Sequence, residues 1–179
     1  MPIEIEKKYR LTDSERELIL ARLKAFDAKL CGTEFETNTL YHGQTIDLDS
    51  EVLRLRRVGT RTILTFKKRF ASESSIKRQL EEETEVADAD ATERILSCLG
   101  FGPSLVYEKR RQTWKYLETE VVIDELPFGW FMEIEGTETD IERVEREFGI
   151  EGLQAEESTY PALTRRYGKP NGDVIEAKF

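Results

Sequence analysis

Pairs of like-charged side chains recur two residues apart in this chain, each pair interleaved with apolar residues. Glu4/Glu6, Arg54/Arg56, Glu81/Glu83, Lys109/Arg111 and Glu133/Glu135 all follow this rule. Positions two apart do not share a helix face, but they do share a face of a strand. The stretch Ile3–Arg10 shows the pattern most plainly. Ile3, Ile5, Lys7 and Tyr9 fall on one side, and Glu4, Glu6, Lys8 and Arg10 on the other. Taken alone, such an octet reads as an amphipathic strand with a solvated face. Repeated five times, with signs grouped by strand, it predicts an ordered charged surface backed by a packed apolar one.

The flanking segments fix where the apolar side goes. A capped helix is expected from Thr12-Asp13-Ser14 to about Lys29, with Ser14 and Glu17 as a capping box and Gly32 as the stop. A second is expected from Asp90 to about Leu99, a third from Thr139 to Phe148 with Thr139 and Glu142 as its box, and a short one around 162–166. Strands are expected at 35–41, at 52–68 as a hairpin turning at Gly59-Thr60, and at 76–86, 106–116, 121–126 and 130–136. Single helices between groups of strands suit an antiparallel sheet curled into a barrel. The predicted fold is α+β: an antiparallel eight-stranded β-barrel, or tunnel, with helices packed on the outside. Residues 1–167 form one domain, and 168–179 are expected to be a loose polar tail.

In that barrel the apolar faces point outward under the helices and the charged faces point inward. Seven cations and no acids lie between Arg54 and Arg69. Those alternating with core residues, Arg54, Arg56 and Lys67, line the interior; Arg57, Lys68 and Arg69 break register and are expected to face solvent. Six acids between Glu81 and Asp90 would repel one another in a dry cavity unless a cation or arginines relieve them. Glu82, Asp88 and Asp90 are assigned to solvent.

Composition excludes several classes. A charged fraction of 35% exceeds the roughly 25% of ordinary globular chains, so a polar cavity has to be considered. A net charge of −9 argues against a surface that binds nucleic acid or anionic membrane. No stretch is apolar enough to span a bilayer and no signal peptide is evident, which points to a cytoplasmic location. Cys31 and Cys98 have no ligand spacing and are expected to be small apolar residues. His42 is alone and is read as structural.

The inventory suits phosphate chemistry. Hard cations such as Mg2+ or Mn2+ take carboxylates, waters and phosphate oxygens. Arginine grips phosphate with two parallel bonds, and lysine acts as a point charge. No Ser/His/Asp or Cys/His nucleophile set is visible and no glycine-rich phosphate loop, so the attacking group is a water or a substrate hydroxyl.

Glu4-Ile5-Glu6-Lys7-Lys8 resembles the E-x-E-x-K signature of the CYTH superfamily, the triphosphate tunnel metalloenzymes. That group includes class IV adenylyl cyclases, thiamine triphosphatases and inorganic triphosphatases. The resemblance continues through Leu53–Arg56, Leu64–Lys67, Glu108–Arg111, Ile123–Leu126, Phe131–Gly136 and Glu157–Tyr160, covering Ile3 to about Tyr167. It implies a tunnel in which Glu4, Glu6, Asp124, Glu133 and Glu135 hold one or two Mg2+ or Mn2+ ions. Lys8, Arg54, Arg56, Lys67, Lys109 and Arg111 grip the triphosphate, and Glu81 and Glu83 form the acidic middle strand. Catalysis centres on Glu4, Glu6 and Lys8. One position departs from the pattern: Gln79 stands where members commonly carry an arginine, and either Lys77 or an Arg78 turned inward by a β-bulge would replace it.

The resemblance implies a metal-dependent triphosphatase acting on a small triphosphate, with a homodimer compatible. An adenylyl cyclase is the second reading; the His-Phe pair found near the N-terminus of some cyclases is absent. A non-catalytic binder of polyphosphate, nucleotide or single-stranded RNA is the third, and the pairing of cationic with acidic strands weighs against it.

Overall fold

The computed structural model describes residues 3–70 and 77–179; the side chains of Ile3, Glu4, Lys77 and Arg78 lie outside that description. The described residues form ten strands and four helices in the order β1 (Ile3–Leu11), α1 (Asp13–Ala25), β2 (Lys29–His42), β3 (Glu51–Val58), β4 (Arg61–Arg69), β5 (Lys77–Glu85), α2 (Ala89–Cys98), β6 (Gly102–Tyr116), β7 (Thr119–Leu126), β8 (Gly129–Glu135), α3 (Glu138–Phe148), α4 (Tyr160–Tyr167), β9 (Lys169–Asn171) and β10 (Val174–Ala177). The sheet runs β2-β3-β4-β5-β1-β8-β7-β6, and β6 pairs back onto β2, so eight antiparallel strands close a barrel. Closure removes the open edges of the sheet. It also makes the two strand faces unequal, one enclosed and one covered by helices.

The outward faces build the core. Tyr9, Ile123, Met132 and Ile134 on the barrel meet Ile19 and Leu23 of α1 and Ile141, Val144 and Phe148 of α3. Each such side chain contributes about 1.5–3 kcal/mol by leaving water. Tyr41 and Leu55 pack against Leu96 of α2, while Leu40, Leu105 and Phe131 meet Leu163 of α4. The hydrocarbon under α1, α2 and α3 therefore lies outside the barrel, while the α4 cluster shares the inward strand faces and adjoins the cavity through Tyr107 and Tyr160.

Several boundaries differ from the sequence reading. The N-terminal box of α1 is Thr12 with Glu15, two residues earlier than Ser14 with Glu17, and the helix ends at Ala25, capped by Phe26, with Asp27 at a left-handed φ of 54°. The chain then enters β2 at Lys29, and Gly32 marks a register shift in the β2–β6 ladder, not a helix stop. Helix α2 is capped by Asp88, not Asp90; Asp88 is exposed as assigned, and it accepts from Ala91 N at 2.8 Å. Helix α3 is capped by Thr137, not Thr139, and ends on Gly149 in the left-handed conformation (φ 57°). On α2 only Leu96 is buried, and Ile95 and Leu99 are exposed. Cys31 and Cys98 are exposed thiols, so neither fills the core.

Residues 168–179 are not a loose tail. β9 and β10 form a hairpin, and β10 pairs in parallel with Leu105–Tyr107 of β6. Strand β7 pairs only with Arg110–Tyr116, leaving the earlier part of that edge of β6 with free backbone groups, which β10 occupies. Among the described residues no helix is long and apolar enough to cross a membrane.

Candidate active site

The barrel encloses a cavity of about 270 Å3, lined by inward residues of β1 and β3–β8 and by Thr159, Tyr160 and Pro161 at the start of α4. That volume sits near the lower edge of small-molecule sites. Glu6, Lys8, Arg54, Arg56, Lys67, Glu81, Glu83, Lys109, Arg111, Glu133 and Glu135 all line it, so one alternation rule placed them together. Asp124 lies just behind the wall, fully buried. The Glu4 side chain falls outside the described residues.

Strand order sets what faces what. In the closed ring β8 lies across from β3, β7 from β4, and β6 from β5. The carboxylates of β8 thus oppose Arg54 and Arg56, and Lys109 and Arg111 oppose Glu81 and Glu83. Within each wall the charges interlock between strands one or two places apart. Arg54 reaches Glu81 at 3.7 Å and Glu83 at 3.3 Å. Arg56 reaches Glu83 at 3.2 Å, and Lys67 pairs with Glu81. Lys8 contacts Glu133 at 3.1 Å, and its ammonium lies 3.9 Å from the centre of the Tyr160 ring. Burial pushes the Glu83 carboxyl up, but bonds from Glu81 and Thr65 and the charges of Arg56 and Arg54 bring it below its ordinary value.

The sequence reading missed several contributors. Arg69, assigned to solvent, shares the face of Thr65 and Lys67 and lines the cavity; counting in twos from Lys67 places it there. Glu36 and Asn38 of β2 are buried inside the barrel, on a strand the reading treated only as a coarse element. Lys109 reaches Glu36 at 3.5 Å and Arg56 reaches it at 3.8 Å. Burial alone would raise the Glu36 carboxyl, but Lys109, Arg111, Arg56 and Arg54 hold it down at about 2. Tyr107, Glu120 and Tyr160 also line the cavity. Burial and Arg111 draw the Lys109 ammonium below its ordinary value, against the pull of Asp124, Glu36 and Glu133.

At Gln79 the structure shows a buried, cavity-lining amide. The β5 ladder runs in unbroken register against β4 from Gln79 to Glu85 and against β1 from Lys77 to Leu80. No bulge interrupts those pairings; the side chains of Lys77 and Arg78 lie outside the described residues.

The donor chemistry fits a hard divalent cation. In the cross-strand ladders Glu6 stands directly opposite Glu135, and Glu135 opposite Glu120. Like charges opposed in this way are destabilising unless a cation intervenes. Among the described residues no three acidic or histidine side chains by themselves enclose an ion.

Comparison with known proteins follows this geometry. The CYTH domain family model matches residues 2–160. The chain belongs to the CYTH domain family. It is 28% identical over 144 residues to a protein of Methanocaldococcus jannaschii described as a candidate adenylate cyclase, covering 78% of this chain and 79% of that one. The PH1012 protein of Pyrococcus horikoshii superposes with a TM-score of 0.76 at 24% identity, over 88% of this chain and 96% of the other. A candidate adenylyl cyclase from Hippeastrum, described as having a dominant triphosphatase activity, superposes at 0.68 with 22% identity, over 91% and 95%. At these identities the two structures establish the fold of the CYTH domain. Its relatives carry the names of enzymes of both kinds.

Proposed function

We propose that this CYTH domain is a divalent-metal-dependent triphosphatase that binds its substrate inside the barrel. The supporting observation is the opposition of acidic β8 and β7 to cationic β3 and β4 within one enclosed cavity. Seven lysines and arginines line it against six glutamates, so the walls nearly balance. A triphosphate carries several negative charges, and walls this close to neutral cannot offset them alone. Glu6, Glu133 and Glu135 would hold Mg2+ or Mn2+, which would supply the remaining positive charge on the phosphate oxygens.

Arg54, Arg56, Lys67, Lys109 and Arg111 exchange their present carboxylate partners for phosphate oxygens. Lys8 sits between Glu133 and the Tyr160 face, where its ammonium can reach the chain of phosphates without unfolding the wall. A glutamate of the acidic wall orients a water toward the terminal phosphorus. The P–O bond to the leaving phosphate breaks as the water oxygen bonds, releasing orthophosphate and a diphosphate. Phosphoryl transfer of this kind rests on positioning and charge rather than on covalent participation by the protein.

The cyclase reading is supported by the naming of the Methanocaldococcus relative and uses the same cradle. The two are separated by products. With Mg2+ or Mn2+ and inorganic triphosphate, thiamine triphosphate or ATP, the triphosphatase releases orthophosphate. Cyclic AMP with pyrophosphate from ATP would establish the cyclase. No product from any of the three, with binding retained, would leave a non-catalytic binder.

A further inference from the structure

The resemblance assigns Asp124 to the metal, but its surroundings in this chain describe a different task. We infer that Asp124 is a positioning residue that aims Arg111 into the cavity and fastens the start of α4 to the barrel, and that it is not a metal ligand. This inference rests on the proposed reading of the cavity as a metal-assisted triphosphate site.

Asp124 is fully buried, and both of its oxygens are already engaged. Oδ1 accepts from Arg111 Nε at 2.7 Å. Oδ2 accepts from Arg111 Nη2 at 2.6 Å and from the Tyr160 hydroxyl at 2.7 Å, with Lys109 Nζ 3.5 Å away. The two guanidinium bonds form the parallel fork that fixes both direction and distance. Arg111 is the cross-strand neighbour of Asp124 in the β6–β7 ladder, so the pair is built into the register. A metal on Oδ2 would have to displace the Tyr160 phenol or the Arg111 Nη2 bond, leaving a buried donor unsatisfied, and one on Oδ1 would sit against the guanidinium charge of Arg111. Glu6, Glu133 and Glu135 instead line the cavity itself.

Tyr160 gives the arrangement its second purpose. Its hydroxyl is bound to Asp124 and its ring lies beneath Lys8. The segment leading into α4 is also tied to β1, with Glu156 N bonded to Lys8 O at 2.8 Å. Asp124 therefore joins β6, β7 and α4 at one buried point, next to two of the cations that meet the substrate. Arg111 retains a further contact, Nη2 to Glu133 Oε2 at 2.8 Å, which a phosphate oxygen can replace while the Asp124 fork stays in place.

Three roles for Asp124 predict different results in the Asp124→Asn, Tyr160→Phe and Glu135→Gln proteins. The measurements are Mn2+ affinity by titration calorimetry, tripolyphosphate affinity with and without Mn2+, and the Arg111 Nε–H resonance by NMR. The positioning role predicts Mn2+ affinity within about twofold of wild type in Asp124→Asn, against a loss of about tenfold or more in Glu135→Gln. It predicts tripolyphosphate binding weakened about tenfold in Asp124→Asn and about threefold in Tyr160→Phe. The Arg111 Nε–H signal is ordered in wild type and Glu135→Gln and lost in Asp124→Asn. A role through charge alone predicts the opposite sign, since removing an anion strengthens the hold on an anionic chain. Loss of Mn2+ affinity in Asp124→Asn equal to that in Glu135→Gln overturns the inference in favour of a ligand. If wild type binds neither Mn2+ nor tripolyphosphate, the functional reading fails, while the Arg111 signal still decides whether Asp124 fixes that side chain. Tyr160→Phe keeps the ring and its packing, so it reports on the site even if Asp124→Asn folds poorly.

Discussion

Glu36 offers the most quantitative test of the charged interior, because its carboxyl is almost fully buried and surrounded by Lys109, Arg111, Arg56 and Arg54. Its carboxyl is lowered from an ordinary 4.5 to about 2 in the folded chain. A lowered folded value means that the folded state favours the ionised form. The resulting stability is fully present above pH 4.5 and is lost as pH falls toward 2. At 1.36 kcal/mol per unit, that shift corresponds to about 3 kcal/mol. This is a large share of the roughly 5–15 kcal/mol that holds a typical domain together. Glu36→Gln removes the charge while keeping shape and one acceptor, and takes one anion from Lys109 and Arg56, which keep Asp124 at 3.5 Å and Glu83 at 3.2 Å. The assay is urea unfolding of wild type and Glu36→Gln at pH 7, 5, 4 and 3. The expected gap is about 3 kcal/mol at pH 7 and 5, narrowing at pH 4 and narrowing further at pH 3. A gap that stays constant across this range would show that Glu36 is not stabilised through its charge. A Gln variant more stable than wild type at pH 7 would mean that burial of the ion pairs costs more than they return.

The other expectations concern the site and its frame. Glu6→Gln and Glu135→Gln each abolish metal-dependent turnover while leaving the far-ultraviolet circular dichroism unchanged; retained turnover in either removes it from the metal site. Arg54→Ala and Arg56→Ala raise KM for triphosphate about tenfold or more with a smaller effect on kcat, and a change confined to thermal stability would make them structural. Chelation with EDTA stops turnover, and added Mg2+ or Mn2+ restores it, whereas raising monovalent salt has the weaker effect. Gly168→Ala lowers Tm by several degrees, because a Cβ there would lie 2.6 Å from Thr164 O and 2.8 Å from Glu176 O. Such overpacking costs about 1–3 kcal/mol, and an unchanged Tm would mean that the β9–β10 hairpin yields without strain.

The two-residue alternation was enough to foresee a closed antiparallel barrel with charge inside and hydrocarbon under the helices, since strand geometry assigns each side chain a face. It brought Glu6, Lys8, Arg54, Arg56, Lys67, Lys109, Arg111, Glu133 and Glu135 to one cavity. Helix ends were less legible, because Thr12 or Ser14, Asp88 or Asp90, and Thr137 or Thr139 are all capable caps; backbone entry angle chooses among them. Glu36 and Asn38 were missed for another reason. Glu34 and Glu36 do flank Phe35 in their strand, but only the strand's position between β3 and β6 in the closed ring turns the face of Glu36 and Asn38 inward. The parallel docking of β10 likewise depends on a length of β6 edge that β7 leaves uncovered. Local chemistry thus set each strand's two faces, while ring closure decided which strands confront one another. It also decided that Asp124, on the same strand face as the cavity-lining Val122, sits buried within reach of Arg111, Lys109 and Tyr160, because Tyr160 meets the β6–β7 hairpin only when the whole barrel has formed.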